Sequence, residues 1–192
     1  MKLLHLDASA LGANSVTREL SAAIVARWQD AIPALQVEYR DLDADPLPHL
    51  TGDILSGANA MAQAEGARLL EQFLASDVIV IGAPMYNFGI PSTLKAWIDR
   101  IAIAGKTFRY TETGPEGLAD GRRVIVASGR GGIYGNGPAD FQENYLRQVF
   151  NFLGITDVEF VRAEGVAYSP QHRADALAGA HASIAQPLRQ AA

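Results

Sequence analysis

The chain alternates between two patterns of apolar residues. Short runs of branched apolar side chains are separated by longer segments in which apolar positions recur every three or four residues. The run at 78–81, Val-Ile-Val-Ile, is apolar throughout, which is typical of a strand buried on both faces of a parallel sheet. Strands are also predicted at 3–6, 35–40, 123–128 and 158–161, and the alternation within 35–40 fits the edge of the sheet.

The longer segments predict helices. Residues 15–31 place four apolar side chains on one face: Val16, Leu20, Ile24 and Trp28. Further helices are predicted at 61–75, 91–101, 138–153 and 170–186, and Pro91 suits a first helical turn. The helix after Pro138 is expected to have an apolar face made of Phe141, Tyr145, Val149 and Phe152 or Leu153.

This alternation of strands and helices predicts an α/β fold, a doubly wound sheet of five parallel strands in a single domain over residues 1–192. The expected strand order is 2-1-3-4-5, which opens a ligand crevice at the carboxyl ends of strands one and three. The segment 102–122 interrupts the alternation, with a short extension predicted at 108–110 and a turn at 113–117.

Composition and charge narrow the classes of function. The chain is 48% hydrophobic and 19% charged, and its net charge of -5 argues against nucleic acid and anionic membranes as partners. It has no cysteine, and its four histidines show no ligand spacing, so no metal site is predicted. Neither a membrane span nor a signal peptide is visible, which makes the cytoplasm the expected location.

The loop after the first strand carries groups that suit an anion. Ser9, Ser15 and Thr17 bring hydroxyls to the start of the first helix, where free N–H groups and the helix dipole favour a phosphate. The alternative is that Ser15 and Thr17 only cap that helix.

The loop after the third strand is unusually apolar for its position. Met85, Tyr86 and Phe88 surround Asn87 at an edge of the sheet that normally faces ligand and solvent. A flat aromatic ligand would cover these side chains, the alternative being a loop folded back onto the core.

The loop after the fourth strand, Gly129-Arg130-Gly131-Gly132, allows backbone to approach a ligand closely. The dinucleotide fingerprint that would start at Gly129 is broken by Tyr134, and an ordinary turn is an equally good interpretation of the glycines alone. The three loops together favour flavin mononucleotide (FMN) over a dinucleotide, and the P-loop and nucleophile-elbow motifs are absent.

Several stretches in order along the chain carry a family resemblance. They are Ala-Pro-Met-Tyr-Asn-Phe at 83–88 with Leu-Lys-Ala-Trp-Ile-Asp at 94–99, and the segments 107–112, 114–118, 130–132 and 154–158. In these stretches the sequence closely resembles the FMN-dependent NADH-azoreductases, flavodoxin-like enzymes that are also quinone reductases and were formerly named acyl-carrier-protein phosphodiesterases. The resemblance implies a flavodoxin-like fold and a homodimer with one FMN per subunit at the dimer interface.

Carried across by motif, the resemblance implies a role for each loop. The phosphate is held by Ser9, Ser15, Val16 and Thr17; the ring and ribityl chain by Met85, Tyr86, Asn87 and Phe88; the polar edge of the ring by Gly129, Arg130, Gly131 and Gly132. Tyr110 and Phe152 are expected to shape the substrate pocket, one of them from the partner subunit. Family members often have Ser in place of Gly129, for which Ser128 is an alternative source of a hydroxyl, and Arg130 is equally well a solvated surface charge.

The implied activity is electron transfer from NADH or NADPH through FMN to quinones and azo compounds in a ping-pong sequence. The cofactor carries this chemistry, so no catalytic acid or base side chain is expected. A flavodoxin-like electron carrier is the alternative, although the charge of -5 is modest for an acidic docking rim and the 102–122 segment better fits a pocket wall. A phosphodiester hydrolase would need a nucleophile or metal site that the sequence lacks.

Overall fold

The computed structural model describes residues 1–135 and 137–187 and contains a regular series of strands and helices. In chain order these are β1 Lys2–Asp7, α1 Val16–Ala31, β2 Gln36–Asp41, α2 Gly52–Leu55, α3 Ala60–Ala75, β3 Val78–Pro84, α4 Ser92–Ile101, β4 Phe108–Thr111, β5 Gly114–Gly117, β6 Arg123–Gly129, α5 Phe141–Phe152, β7 Asp157–Ala163 and α6 Pro170–Ser183. A short 3-10 helix, Gly12–Asn14, precedes α1.

The central sheet has five parallel strands in the order β2-β1-β3-β6-β7. This confirms the predicted order 2-1-3-4-5, since β6 and β7 are the fourth and fifth strands of that sheet. The segment after α4 forms a separate antiparallel hairpin, in which Phe108 pairs with Gly117 and Tyr110 with Pro115. The prediction of a turn over 113–117 was therefore wrong, because Gly114–Gly117 is the second strand of this hairpin.

Each face of the sheet has its own apolar core, as a doubly wound fold requires. Ile79 and Ile81 of β3 point to the face covered by α3, α4 and α5, whereas Val78 and Val80 point to the face covered by α1 and α6. Every residue of β3 is buried, which agrees with its unbroken apolar sequence.

Helix α5 presents most of the expected apolar face to the core, since Tyr145, Val149 and Phe152 pack against it and Leu153 is buried. The prediction was wrong for Phe141, which is 63% exposed. Two polar side chains, Gln142 and Glu143, are buried at the start of the helix instead. Gln142 donates to the Ala83 carbonyl oxygen of β3, and Glu143 pairs with arginines, so neither is buried without a partner.

The β4–β5 hairpin is fixed to the edge of the sheet where the strands begin. The Ala119 amide donates to the Leu153 carbonyl oxygen just after α5, and buried Thr107 donates to the carbonyl oxygen of Ile101, the last residue of α4. A Cβ atom on Gly117 would lie 2.1 Å from the Gly154 amide nitrogen, so the two backbones touch. Helices α4 and α5 start at the carboxyl edge of the sheet and end at its amino edge. Because the hairpin is bonded to residues at the ends of these helices, it is attached at the amino edge.

Among the described residues, no helix combines the length and the apolar character needed to cross a lipid bilayer.

Candidate functional site

Three loops meet at the carboxyl edge of the sheet, and we name them L1 (residues 8–15), L2 (residues 85–91) and L3 (residues 130–135 and 137–140). L1 and L2 touch directly, because Ser9 Oγ lies 3.3 Å from Tyr86 Oη and the Ala10 amide donates to the same phenol at 3.2 Å. L2 begins beside β6, where the Met85 amide donates to the Gly129 carbonyl oxygen at 2.9 Å. The predicted convergence of the first two loops is therefore confirmed.

The start of α1 carries a cluster of buried donors. Ser15 caps the helix, since its Oγ accepts from the Arg18 amide, and it lies 3.1 Å from Thr17 Oγ1. Both hydroxyl residues are at most 3% exposed. The amides of Val16 and Thr17 belong to the first turn and have no intrahelical acceptor. Ser15 thus acts as a cap, as the alternative interpretation required, and the Val16 and Thr17 amides keep the anion-binding capacity of a helix N-terminus.

Arg18 supports this end of the helix, and the sequence analysis missed it. Its Nη2 donates to the Ser9 carbonyl oxygen at 2.8 Å, while Nη1 donates to Asp41 Oδ2 at 2.6 Å. The hydrogen bond with Asp41 raises the pKa of Arg18 and, in turn, the Arg18 guanidinium lowers the pKa of Asp41. The pair holds L1 on β2, and an Arg near a serine loop was the one available sequence signal.

L2 adopts a tight turn in which two side-chain-bearing residues have positive φ. Asn87 has φ 49° and Phe88 has φ 69°, and reciprocal backbone bonds of 3.0 Å join Tyr86 and Gly89. This is the geometry of a two-residue type I′ turn, which is uncommon for a bulky residue such as Phe. Phe88 remains 49% exposed and Met85 is only half-buried. L2 is therefore folded back onto the core only in part: Ile90 packs against the core, whereas Phe88 projects outward.

The end of β6 lies against the start of α1 because residue 129 has no side chain. A Cβ atom on Gly129 would lie 2.9 Å from Thr17 Cγ2 and 3.4 Å from Val16 Cγ1. Ser128 is fully buried and donates to Gln142 Oε1, so its hydroxyl is not available to replace a serine at 129. Gly129 therefore lets the end of β6, from which L3 begins, pack directly against the start of α1.

The guanidinium of Arg130 lies inside the protein, which excludes the interpretation as a solvated surface charge. The residue is 0% exposed and pairs with Asp140 at 2.8 Å, with Glu164 at 3.3 Å and with Glu143. Its Nε donates to Ser128 Oγ, and its own amide and carbonyl groups bond to Ala163 and Val166, so Arg130 is held by the protein through both its side chain and its backbone. Sequence spacing gave no sign of this network, whose members come from L3, α5 and the end of β7.

An aromatic contact links L2 to L3. The rings of Phe88 and Tyr134 meet edge to face, with centroids 5.9 Å apart and an angle of 81°. The sequence analysis treated Tyr134 only as the residue that breaks a glycine fingerprint. The structure makes it part of the apolar rim of the candidate site.

The two residues expected in a substrate pocket are grouped around Phe108 in the hairpin. Its ring lies 5.5 Å from that of Tyr110 and 4.5 Å from that of Phe152. Tyr110 is 76% exposed. Their anchorage is at the amino edge of the sheet, whereas L1, L2 and L3 lie at the carboxyl edge.

The residues at the carboxyl edge fit FMN. Hydroxyls and helix amides at the start of α1 match a phosphate. The outward apolar side chains of L2 match an aromatic ring system. The donor set contains no lysine and relies on neutral groups and a helix terminus.

The sheet order and the three converging loops define a flavodoxin-like protein, and a family model described as "Flavodoxin-like fold" matches residues 1–188. An FMN-dependent NADH:quinone oxidoreductase of Stenotrophomonas maltophilia (strain K279a) is 66% identical over 184 residues, covering 96% of this chain and 94% of that protein. The chain belongs to the family of FMN-dependent NADH:quinone oxidoreductases and azoreductases, which confirms the resemblance seen in its motifs.

Two further comparisons extend this result. A protein of the same name from Rhizobium meliloti (strain 1021) is 53% identical over 198 residues, with 97% of this chain and 96% of that protein covered. The crystal structure of an FMN-dependent NADH-azoreductase from Bacillus anthracis str. Ames Ancestor in complex with FMN superposes with a TM-score of 0.86 at 32% identity, covering 95% of both chains.

Proposed function

We propose that this protein is an FMN-dependent oxidoreductase that passes electrons from NADH, or NADPH, to quinones and azo compounds. The observation that carries the proposal is the convergence of L1, L2 and the end of β6, through the Ser9–Tyr86 and Gly129–Thr17 contacts. The names of the relatives and the FMN complex of a structural neighbour support the same activity.

The chain's own residues bind and orient in this mechanism. Ser9, Ser15 and Thr17, with the amides at the start of α1, hold the phosphate. Met85, Tyr86, Asn87 and Phe88 support the ring and ribityl chain, and the segment 129–132 meets the polar edge, with the amides of Gly131 and Gly132 as its donors. When bound, FMN supplies the two-electron chemistry that joins donor to acceptor, so the protein needs no catalytic acid or base for it.

A ping-pong sequence is expected because donor and acceptor would share one apolar surface of the site. Phe88 and Tyr134 line one rim of the site, and both donor and acceptor are flat molecules that would stack against the same ring. The nicotinamide must leave before a quinone or azo compound takes its place.

We also infer that two copies of the chain form a homodimer that completes each site. Tyr110 is 76% exposed on a hairpin rooted at the amino edge, and Phe88 is 49% exposed at the carboxyl edge. Packing the hairpin of one copy over L2 of another would cover both side chains and bring Tyr110 and Phe152 to the pocket. Light scattering on the purified protein tests this: the mass should be twice the 20.5 kDa of one chain, and a monomer would refute it.

Turnover tests the activity. Purified protein with FMN should oxidise NADH continuously when menadione is supplied, and parallel lines should appear in double-reciprocal plots at several quinone concentrations. Reduction of bound flavin without menadione turnover would favour an electron carrier instead. The same assay with NADPH ranks the two donors, and fractionation of the source cells tests the proposed cytoplasmic location.

A further inference from the structure

The shape of L3 depends on one side chain that the site described above does not use. Glu164 follows β7, and its Oε1 accepts hydrogen bonds from the amides of Tyr134 at 2.9 Å and Gly135 at 3.1 Å. The same oxygen accepts from Arg130 Nη1 at 3.3 Å. A single carboxylate therefore joins the beginning and the middle of L3 to the end of β7.

Backbone bonds between L3 and the chain after β7 complete this attachment. The Gly165 and Ala167 amides donate to the carbonyl oxygens of Gly132 and Gly131 at 2.9 and 3.2 Å. L3 uses its carbonyl oxygens in these bonds. In the part of the chain that the structure describes, the amides of Gly131 and Gly132 donate to no protein group. They are therefore free donors on the loop that is proposed to meet the polar edge of FMN.

The groups around Glu164 favour the ionised form of its carboxylate. Partial burial alone would raise the pKa of Glu164, but the Tyr134 and Gly135 amides and the Arg130 guanidinium outweigh it and keep the pKa below its usual value. Arg130 keeps Asp140 and Glu143 as partners if Glu164 is removed. Loss of Glu164 therefore releases the Tyr134–Gly135 part of L3 without leaving a buried guanidinium unpaired, which makes this residue open to experiment.

We infer that Glu164 is a positioning residue for FMN. It fixes L3 so that the Gly131 and Gly132 amides are presented as a preformed pair of donors, and it thereby contributes to FMN affinity and to the spectrum of the bound flavin. The inference rests on the proposed function, because it takes FMN as the ligand of L3. Donors held in place before binding save the ordering cost that a loose loop would meet when FMN enters.

The test compares Glu164→Ala and Glu164→Gln with a matched control at the other end of the same strands. Glu159 of β7 pairs with Arg123 of β6 and has a side chain 24% exposed, against 18% for Glu164. FMN release from the holoprotein is followed by the recovery of free-flavin fluorescence on dilution. The visible absorption band and the midpoint potential of the bound flavin are measured on the same samples.

Glu164→Ala should raise the Kd for FMN about tenfold or more, because the amides of Tyr134 and Gly135 lose their acceptor and this part of L3 is released. Glu164→Gln should have a smaller effect, since its amide oxygen still accepts. Glu159→Ala should change the Kd for FMN less than about twofold, even if thermal stability falls. The flavin band and the potential should shift only in the Glu164 variants.

Two results would overturn the inference. One is Glu164→Ala holoprotein with the affinity, spectrum and potential of the parent. The other is an equal loss of affinity in Glu164→Ala and Glu159→Ala that follows their loss of thermal stability, which would make Glu164 a general structural residue. The parent protein separates this inference from the proposed function, because failure of the parent itself to bind FMN refutes that function first.

Discussion

Replacement of Ser15 by Asp is the perturbation that the geometry of α1 defines best. Ser15 is 3% exposed, caps α1 through the Arg18 amide and lies 3.1 Å from Thr17 Oγ1. Asp is as good an N-cap as Ser, so the substitution keeps the helix while it adds a negative charge at the proposed phosphate position. The stability of the apoprotein and its affinity for FMN should therefore change independently.

The expected loss of affinity follows from Coulomb's law. Two like unit charges about 4 Å apart repel by about 4 kcal/mol at the effective dielectric of about 20 that suits partly buried sites. This energy corresponds to about a thousandfold increase in Kd, and each 1.4 kcal/mol lost to salt screening removes about a factor of ten. We expect an increase in the Kd for FMN of between about tenfold and a thousandfold, measured by quenching of flavin fluorescence.

Two controls isolate the charge. Ser15→Asn has the shape of the Asp variant and a good capping side chain without the charge, so it should bind FMN much more tightly than Ser15→Asp. Ser169→Asp adds the same charge to the N-cap of α6, where Ser169 accepts from the His172 amide, and it should leave the affinity unchanged. Equal Kd values for the Asp and Asn variants at position 15 would refute the reasoning that a phosphate sits at this helix terminus.

Four other expectations follow from the same contacts. Gly129→Ala should weaken FMN binding, because its Cβ would lie 2.9 Å from Thr17 Cγ2, and Thr17→Ser should restore the affinity by removing that methyl group, as fluorescence titration of the double variant will show. Tyr110→Ala should change KM for the quinone more than flavin content, and a colourless protein would contradict its pocket role. Gly117→Ala should destabilise the fold by about 1–3 kcal/mol in urea melts, since the added methyl meets backbone at 2.1 Å. The free energy of unfolding should fall as pH drops below about 4, because the pKa of Asp41 is lower in the folded state than in the unfolded state. The stability that this shift gives is present above the unfolded pKa and is lost as pH falls through the folded pKa. Asp41→Asn should flatten this dependence of stability on pH.

The strands of the sheet could be predicted because each has a recognisable local pattern of apolar residues. The apolar run at 78–81 forms the first four residues of β3, Val78–Pro84, and the alternation at 35–40 marks the edge strand β2. Once five strands alternate with helices, handedness and strand order have few solutions. The position of L1 and L2 at one crevice followed from that order alone.

The features that escaped prediction are long-range polar contacts. Arg130 is buried by carboxylates that stand 10, 13 and 34 residues further along the chain, and nothing in its local sequence distinguishes it from a surface arginine. The same network buries Glu143 at the start of α5, where Phe141 is exposed instead. Apolar periodicity assigns a buried face only where burial is apolar, and here hydrogen bonds decide it.

The visible spectrum of the purified protein tests the central claim most directly. The account predicts a yellow protein that carries one FMN per chain, with flavin absorption that is bleached by NADH without oxygen and returns when a quinone is added. A colourless protein whose spectrum and thermal stability do not respond to added FMN would contradict it.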